Sequence, residues 1–441
     1  MKKFITFTLC LLLCVVTLGL TACGKSKKET VDTSVASVGN GGMVVTRGGY
    51  TYFVNGYKPY STLETNKEAS FSVGGLYRAK LNAEGSFDFD ENGSIVGAEQ
   101  ISSKLVGFES TSLYVFGNKI YFATPITEVN KNGDLQIEKL EFRRVSLTGG
   151  KTERFYTSKI EASKVTFEFY YAEGTVFLMI NEDGTLKCIN CFDKSVNQVA
   201  TGVESLVLPK DTDNVFASDS YQNIFYTTTN EDDKIVINNY NIVTNKVEYR
   251  KTTDYKTCEL IDYKFGQLYY KAGVDDALDY TYLYTMHATK NAITSLEAYR
   301  LTDNEDCSEI CFLENETDGY IVNTSDKSYY LDVQGGSLYP FDEKLEIIAV
   351  GGGYIYTKED TVIKRINVYN LKTTKDMTAQ EVLTVEGMQT YNYDIDDQNL
   401  YVYATKGANT YLYSIKISNV MDDEGFEKKL LGVYNSADIT K

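Results

Sequence analysis

Four oxygen-bearing side chains at regular spacing form the most specific chemical motif in this chain. Asp88, Asp90, Asn92 and Glu99 fit the pattern D-x-[DN]-x-[DN]-G-x5-E, with Gly93 at the position of the sharp turn. Calcium takes about six to eight oxygen ligands, and alternating acidic side chains closed by a bidentate glutamate supply most of them. The spacing therefore predicts a calcium site at these four oxygen-bearing residues.

The sequence beside this motif favours a simpler alternative. Residues 76–81 alternate as a strand does, whereas a helix would be expected to lead into a helix–loop–helix calcium site. A solvated acidic hairpin turn without metal therefore fits the flanking sequence better. If calcium does bind, its expected role is to rigidify a long loop between two repeats of the chain.

A second motif of defined chemistry lies near the N-terminus. Two lysines precede an apolar run over residues 4–20, and the run leads into Leu20-Thr21-Ala22-Cys23. A charged start, a short apolar stretch and a small residue before the cleavage point are typical of a signal peptide. The motif resembles the lipobox of bacterial lipoproteins, and this resemblance implies cleavage after Ala22 and diacylation of the Cys23 thiol.

The resemblance divides the chain into a lipoprotein signal peptide (residues 1–22), a lipidated cysteine with a flexible tether (23–42) and an ectodomain (43–441). It implies a protein held on the extracytoplasmic face of the cell membrane, with the membrane as its first partner. Two acyl chains on one cysteine are sufficient for stable anchoring. An ordinary secretory signal that contains a cysteine is the alternative.

The charge of the chain excludes one class of partner. Its 61 acidic residues outnumber 44 lysines and arginines, which leaves a net charge of −17 at pH 7. Such a surface repels nucleic acid and anionic lipid headgroups. We therefore expect no nucleic-acid partner, and we expect membrane attachment to depend on acyl chains rather than on a basic patch.

Short runs of aromatic and β-branched residues recur along the rest of the chain. Tyrosine is abundant, with 36 residues, whereas tryptophan is absent. Alternating residues of these types behind a turn-forming Gly, Asn or Asp predict β-strands. The runs lie at residues 50–53, 119–122, 175–178, 223–226, 267–270, 319–322, 353–356 and 399–402. Most are followed by a polar loop and a second strand, so the repeating unit is a hairpin with an additional outer strand.

These units resemble the repeat of β-propellers of the YWTD class, in which an aromatic strand is followed by a strand containing arginine and leucine. The nearest matches are residues 50–53 (YTYF) with 76–82 (LYRAKLN), and residues 119–122 (KIYF) with 142–147 (FRRVSL). The chain also looks similar to bacterial surface lipoproteins built from tyrosine-rich repeats. No unit contains the tryptophan of the motif, so the resemblance implies the fold and none of the ligands of that class.

The repeats predict an all-β fold, a single β-propeller of seven or eight four-stranded blades after the signal peptide and tether. In such a ring most tyrosines are expected to pack one blade against the next. A pair of β-sandwiches is the structural alternative, but the regular return of the same strand type argues against it.

The cysteines beyond Cys23 provide a weaker metal motif. Cys188 and Cys191 have the C-x-x-C spacing of a zinc site, and Cys307 and Cys311 could complete a set of four sulfurs. Residues three apart on a strand point to opposite faces, so we expect the first two sulfurs to diverge. Buried thiols that pack as small apolar groups are the favoured interpretation.

Recognised catalytic signatures are absent from the sequence. It has one histidine and no G-x-S-x-G, H-E-x-x-H or phosphate-binding glycine motif. Aspartates within residues 275–279 and 394–397 could flank a glycosidic bond, but such clusters are common in so acidic a chain. We therefore predict that the protein is not an enzyme.

These observations favour a membrane-anchored extracytoplasmic lipoprotein that acts as a non-catalytic binding or scaffold module through a face of its propeller. Its ligand would be an unknown protein or polysaccharide. A carbohydrate-active hydrolase or lyase of the cell envelope is the alternative, and a sensory lipoprotein that partners a membrane protein is a further one. Calcium at the acidic motif is the one cofactor considered.

Overall fold

The structure is a computed structural model. It describes residues 40–62, 71–83, 87–88, 90–91, 95–108, 113–129, 131, 135–208, 223–264, 267–289, 292–300, 307–312, 319–324, 326–332, 337–385, 387–395, 399–407, 409–417 and 428–435. The predicted signal peptide, the lipobox with Cys23 and the tether up to residue 39 lie outside the described residues, and so does Asn92.

The strands form eight successive blades, preceded by strand β1 (Asn40–Gly42). Blades 1 and 2 contain β2 (Val44–Arg47), β3 (Tyr50–Thr62), β4 (Phe71–Ala79), β5 (Glu99–Phe108), β6 (Leu113–Phe116), β7 (Lys119–Val129), β8 (Leu135–Ser146) and β9 (Glu153–Thr157). Blades 3 to 5 contain β10 (Val165–Ala172), β11 (Thr175–Glu182), β12 (Thr185–Asn190), β13 (Val196–Ala200), β14 (Leu206–Val207), β15 (Asn223–Thr229), β16 (Ile235–Asn241), β17 (Lys246–Thr252), β18 (Thr257–Lys264), β19 (Gln267–Gly273), β20 (Asp279–Thr289) and β21 (Ala292–Arg300). Blades 6 to 8 contain β22 (Cys307–Phe312), β23 (Gly319–Thr324), β24 (Ser328–Asp332), β25 (Ser337–Pro340), β26 (Glu346–Gly351), β27 (Tyr354–Glu359), β28 (Val362–Asn367), β29 (Ala379–Thr384), β30 (Gln389–Ile395), β31 (Asn399–Lys406), β32 (Asn409–Lys416) and β33 (Lys428–Asn435).

Within each blade the four strands lie side by side in chain order and pair antiparallel. Blades 3 to 8 are separate four-stranded sheets, whereas blades 1 and 2 share one nine-stranded sheet that also includes β1. The two blades join where β3 pairs in parallel with β8, at Ser61–Gln136 and Thr62–Ile137. The eight blades confirm the predicted all-β propeller and exclude the pair of β-sandwiches.

The burial of the strands follows from their position in a blade. Both faces of a blade pack against neighbouring blades, so inner strands are apolar on both sides. Every residue of β6 and of β23 is buried. The outermost strand β17 instead alternates exposed and half-buried residues along its length. The core is therefore a series of interfaces between blades rather than a single apolar centre.

Tyrosines supply much of this packing between blades, as the sequence predicted. Among the residues whose side chains the structure describes, nine tyrosines are less than 2% exposed. The hydroxyl groups of Tyr269 in blade 5 and Tyr320 in blade 6 lie 2.7 Å apart and share a hydrogen bond. The rings of Tyr114 in blade 2 and Phe169 in blade 3 have centroids 4.8 Å apart. At the Tyr269–Tyr320 contact both the rings and the hydroxyl groups find partners, so tyrosine suits a blade interface that combines apolar and polar groups.

The glycines before β27 form a turn, as expected for the turn-forming residues that precede each aromatic run. Gly352 and Gly353 have φ angles of 60° and 84°, a left-handed conformation that glycine adopts without a Cβ penalty. They form the tight turn between the first two strands of blade 7.

The ring closes between blade 8 and blade 1 without exchanging a strand, because each of these blades consists of four consecutive strands. Instead, Oδ2 of Asp394 on β30 accepts hydrogen bonds from the backbone N–H groups of Met43 (2.7 Å) and Val44 (3.0 Å). Tyr403 packs in the same apolar cluster as Phe53, and its hydroxyl donates to the Met43 carbonyl at 3.5 Å. One carboxylate thus ties together residues 350 positions apart.

Helix is rare in the described residues. The α-helix α1 (Val368–Thr374) replaces the turn between the last two strands of blade 7, and the Asn367 side chain caps it by accepting from the Asn370 N–H. A single 3-10 turn spans Ala162–Lys164. In the part of the chain that the structure describes, no helix has the length and apolar character needed to cross a membrane.

Candidate functional site

The acidic motif lies in the connection between β4 and β5 of blade 1. Asp88 and Asp90 are both exposed. The Asp88 carboxylate accepts from the Asn82 side-chain amide at 3.0 Å, and its backbone carbonyl accepts from the Val96 N–H at 2.8 Å. These bonds define a turn that holds Asp88 close to the strand end.

Glu99, the last residue of the motif, lies on β5 directly opposite Arg78 on β4. Its Oε2 accepts from Nε and Nη2 of Arg78, at 2.9 and 2.7 Å, and this hydrogen bonding raises the pKa of Arg78. Arg78 also donates to the Leu147 carbonyl at 2.9 Å. A calcium ion would therefore have to share the Glu99 carboxylate with this guanidinium. Among the described residues, no three acidic, histidine or cysteine side chains converge on one metal-sized point, and calcium at this motif stays a prediction.

The two cysteines of the C-x-x-C motif diverge, as the strand geometry predicted. Cys188 packs in the apolar cluster that faces blade 4, whereas Cys191 packs in the cluster that faces blade 2. Burial raises the pKa of Cys188 to about 12 and raises that of Cys191 well above its ordinary value. Cys258 is buried and unpaired in the same manner. The side chains of Cys307 and Cys311 lie outside the described residues.

The aspartate clusters do not form a carboxylate pair in the described part of the chain. Asp394 is engaged in closing the ring. Asp275 and Asp276 lie on an exposed turn between β19 and β20, where Asp276 is 3.8 Å from the Lys256 ammonium. Residues 396–398 lie outside the described residues.

A buried charged group, which the sequence analysis did not identify, lies between blades 2 and 3. Lys187 on β12 forms an ion pair with Glu182 on β11, and the two side chains are 9% and 1% exposed. Glu182 also accepts from the Lys159 N–H at 2.7 Å and from the Tyr156 hydroxyl at 3.2 Å. Burial, followed by the nearby Glu182 charge, raises the pKa of Tyr156. The Asp183-Gly184 pair between β11 and β12 indicates a hairpin in the sequence. The contact with Tyr156 could not be predicted from it, because Tyr156 lies on β9 and reaches Glu182 only when blades 2 and 3 pack together.

A pocket of about 410 Å³ opens between blades 3 and 4. It lies on the face of the ring that carries the turns between first and second strands and between third and fourth strands. Thr175, Phe177 and Cys188 line it from within blade 3, together with the Asn190 and Asn197 side chains. Blade 4 contributes the turn between β16 and β17, including Asn245. We call this site the blade 3–4 pocket.

Hydrogen bonds fix the three asparagine side chains that line the blade 3–4 pocket. The Asn190 carbonyl oxygen accepts from the backbone N–H groups of residues 192 and 193, at 2.8 and 3.3 Å. The Asn197 amide donates to the Asn245 carbonyl oxygen at 2.6 Å and to the Tyr240 hydroxyl at 3.4 Å. The Tyr240 hydroxyl in turn donates to Asn245. The protein therefore holds the amide oxygen of Asn190 and of Asn245, and the amide nitrogen of Asn197, by hydrogen bonds. The remaining polar atom of each amide has a defined orientation as a result.

The two turns beside the blade 3–4 pocket are equivalent positions of neighbouring blades. Asn190 and Asn241 each end a third strand and accept from the backbone N–H groups two and three residues ahead. Four residues later, Lys194 and Asn245 adopt left-handed φ angles of 63° and 59°. The sequences NCFDK at 190–194 and NIVTN at 241–245 share the asparagine that begins each turn. This shared residue could have indicated the equivalence of the two turns, but it was not identified from the sequence. Their position next to each other depends on the ring.

The titratable groups that line the blade 3–4 pocket are few. Glu173 stands exposed at the tip of the turn between β10 and β11, where it takes a φ of 45°. Cys188, with its pKa raised to about 12 by burial, stays protonated at neutral pH. Among the described residues, no lysine, arginine or histidine lines the pocket. The site therefore offers amides, hydroxyls and one aromatic ring.

Comparison with known proteins gives a likeness of fold alone. No protein-family model and no curated protein matches the chain. Among solved structures, it is similar to Kluyveromyces lactis Hsv2, with a TM-score of 0.42 and 11% identity over 72% of this chain and 96% of the other. It is similar to BamB from Moraxella catarrhalis (TM-score 0.41, 11% identity, 90% of this chain and 97% of the other). It is also similar to an oligogalacturonate lyase in complex with manganese (0.41, 10%, 88% and 99%). At identities this low, the likeness carries no information on ligand or activity.

Proposed function

We propose that the protein is a membrane-anchored extracytoplasmic lipoprotein that acts as a non-catalytic binding or scaffold module through one face of its eight-bladed ring. The observation that carries this proposal is the composition of the blade 3–4 pocket, whose polar groups suit binding rather than catalysis. Amides and hydroxyls hold a ligand by hydrogen bonds, but their protons do not transfer readily near neutral pH.

The pocket lacks the pair of groups that the alternative, a glycoside hydrolase, commonly requires. Such enzymes place two carboxylates on either side of the scissile bond, one as an acid and one as a base or nucleophile. Of the residues that the structure describes, Glu173 alone contributes a carboxylate to the lining of the blade 3–4 pocket. It lies exposed at the rim, and one carboxylate does not supply the pair that this chemistry uses.

The anchoring part of the proposal follows from the lipobox and is tested by phase partition. The full-length protein, expressed in a bacterium with its own signal peptide, is expected to enter the detergent-rich phase of Triton X-114. Its mass should show loss of residues 1–22 and gain of acyl chains. Cys23→Ala should abolish the gain of acyl mass, because no thiol then carries the lipid. Cys14→Ala removes a signal-peptide cysteine outside the lipobox and is the matched control.

The binding part is tested by offering polysaccharides to the purified protein. A binding module leaves them intact, whereas a hydrolase releases new reducing ends and a lyase releases unsaturated products. Either product, formed by the wild type and lost in a pocket variant, would replace the proposed function with the enzymatic one. Cys23→Ala protein that still carries the acyl mass would overturn the anchor at Cys23.

A further inference from the structure

We infer that the blade 3–4 pocket binds a neutral, polyhydroxylated ligand, a sugar unit of an extracellular glycan. The inference deepens the proposed function and rests on it for the compartment in which the ligand is met. It stands on the arrangement of hydrogen-bonding groups, on the charge of the pocket walls and on the size of the cavity.

The hydrogen-bonding capacity left over in the pocket is mixed. An asparagine amide has two N–H donors and a carbonyl oxygen with two lone pairs. At Asn190 and Asn245 each carbonyl oxygen already accepts two hydrogen bonds, so the remaining capacity is donors. At Asn197 both amide hydrogens are used, so the remaining capacity is an acceptor. Two donating amides beside one accepting carbonyl match a ligand whose groups both donate and accept, and hydroxyl groups do so.

The walls of the pocket disfavour charged ligands. An anion would need lysine or arginine for compensation, and neither lines the pocket in the described part of the chain. Glu173 at the rim and the net charge of −17 also repel anions. A cation would be attracted by the exposed Glu173 carboxylate and the Asn197 carbonyl oxygen, but the donating amides of Asn190 and Asn245 would repel it. A neutral ligand is the class that remains.

The apolar part of the lining completes the match to a sugar. The half-buried Phe177 ring gives a flat surface on which the C–H face of a sugar ring can lie, while the asparagines contact its hydroxyl groups. The volume of about 410 Å³ falls within the range of about 300–1,000 Å³ that small-molecule sites occupy. Because the pocket is open to one face, a longer chain of sugars can extend beyond it.

The equivalence of the two turns supplies variants that change the ligand groups without changing the fold. Asn190→Asp keeps the oxygen that caps the turn but replaces the donating amide by a negative charge. Its matched control is Asn241→Asp, which alters the same turn position in blade 4, outside the pocket lining. Asn245→Gly removes the other donor and tolerates the φ of 59°, and Lys194→Gly, at φ 63°, is its control.

The test is calorimetric titration of the full-length protein in detergent with cellotetraose, maltotetraose and tetra-N-acetylchitotetraose as neutral probes. Tetragalacturonate and the dipeptide glycyl-asparagine represent anionic and peptide ligands. We expect at least one neutral sugar to bind, and each pocket variant to weaken it by about tenfold, as expected for loss of one to two hydrogen bonds. The two controls should bind within about twofold of the wild type.

Three results would overturn the inference: no binding of any neutral probe at millimolar concentration, binding of the anionic or peptide probe alone, or equal weakening by pocket variants and controls. Repeating the titration with Cys23→Ala separates this inference from the anchor. If the wild-type protein enters the detergent phase but binds no sugar, the proposed anchor stands and the sugar site is refuted. Aqueous-phase wild-type protein that binds sugar refutes the anchor and supports the site.

Discussion

Replacement of Asp394 by alanine is expected to open the ring at the junction of blades 8 and 1. The Asp394 carboxylate accepts from the Met43 and Val44 N–H groups, and these residues are 3% and 5% exposed. A buried donor that loses its acceptor costs about 1–3 kcal/mol. Asp394→Ala leaves two such donors without an acceptor. Because both hydrogen bonds are only partly buried, we expect the free energy of unfolding to fall by about 2–4 kcal/mol. Asp394→Asn keeps one oxygen that can still accept from both N–H groups, so it should cost less than Asp394→Ala; the Ile395 N–H, which donates to the other carboxylate oxygen, then loses its acceptor.

Two measurements report this change. Urea denaturation gives the free energy of unfolding as a shift of the midpoint at constant slope. Hydrogen exchange then localises the effect: peptides that contain residues 43–47 should exchange faster, while those from β16, across the ring, should be unchanged. Asp342→Ala, at an exposed position of a turn, is the control and should change stability by less than about 0.5 kcal/mol. If Asp394→Ala matched this control in both its midpoint and its exchange at residues 43–47, the carboxylate would not hold the ring closed.

Three further predictions follow from other parts of the molecule. Lys187→Met should lower the free energy of unfolding by about 3–5 kcal/mol, because it leaves Glu182 charged and buried. The double variant Lys187→Met/Glu182→Gln should regain much of the lost stability, because no buried charge then remains unpaired. If urea denaturation shows the double variant to be no more stable than Lys187→Met, the explanation by the ion pair is wrong. Cys188 and Cys258 should resist iodoacetamide at pH 8 until the protein is denatured, because burial raises the pKa of each to about 12 and the thiolate forms only as the pH approaches that value. If the acidic motif binds calcium, the ion at about 100 times its Kd should stabilise the protein by about 2.7 kcal/mol over EDTA. Calcium should therefore raise the melting temperature of the wild type, and Asp88→Ala should abolish that rise. If calcium does not change the melting temperature of the wild type, the acidic motif is a solvated turn that binds no metal.

The strand pattern was predictable because it depends on neighbouring residues. Side chains alternate between the faces of a strand, and Gly, Asn or Asp at turns ends each run. The eight aromatic runs read from the sequence lie at the second strand of each of the eight blades, from β3 to β31. The divergence of Cys188 and Cys191 followed from the same local geometry.

The contacts that build the candidate site were not predictable from the sequence. The blade 3–4 pocket needs Asn190 and Asn197 from one blade beside Asn245 from the next, and the intervening strands carry no sign of which turn will face which. The same holds for Tyr156, which reaches Glu182 from a neighbouring blade. The acidic motif was legible as a sequence, but the Arg78 partner of Glu99 became visible only in the paired strands.

From the sequence alone came the all-β class, the repeated hairpin, the predicted lipobox and the burial of the tyrosines and thiols. All of these depend on residue type and short-range spacing, which set backbone preference and side-chain direction. The tertiary structure decided that there are eight blades, that β3 and β8 join the first two, and that Asp394 closes the ring on Met43. These features depend on contacts between residues far apart in the chain, where packing of whole sheets rather than local preference selects the partner.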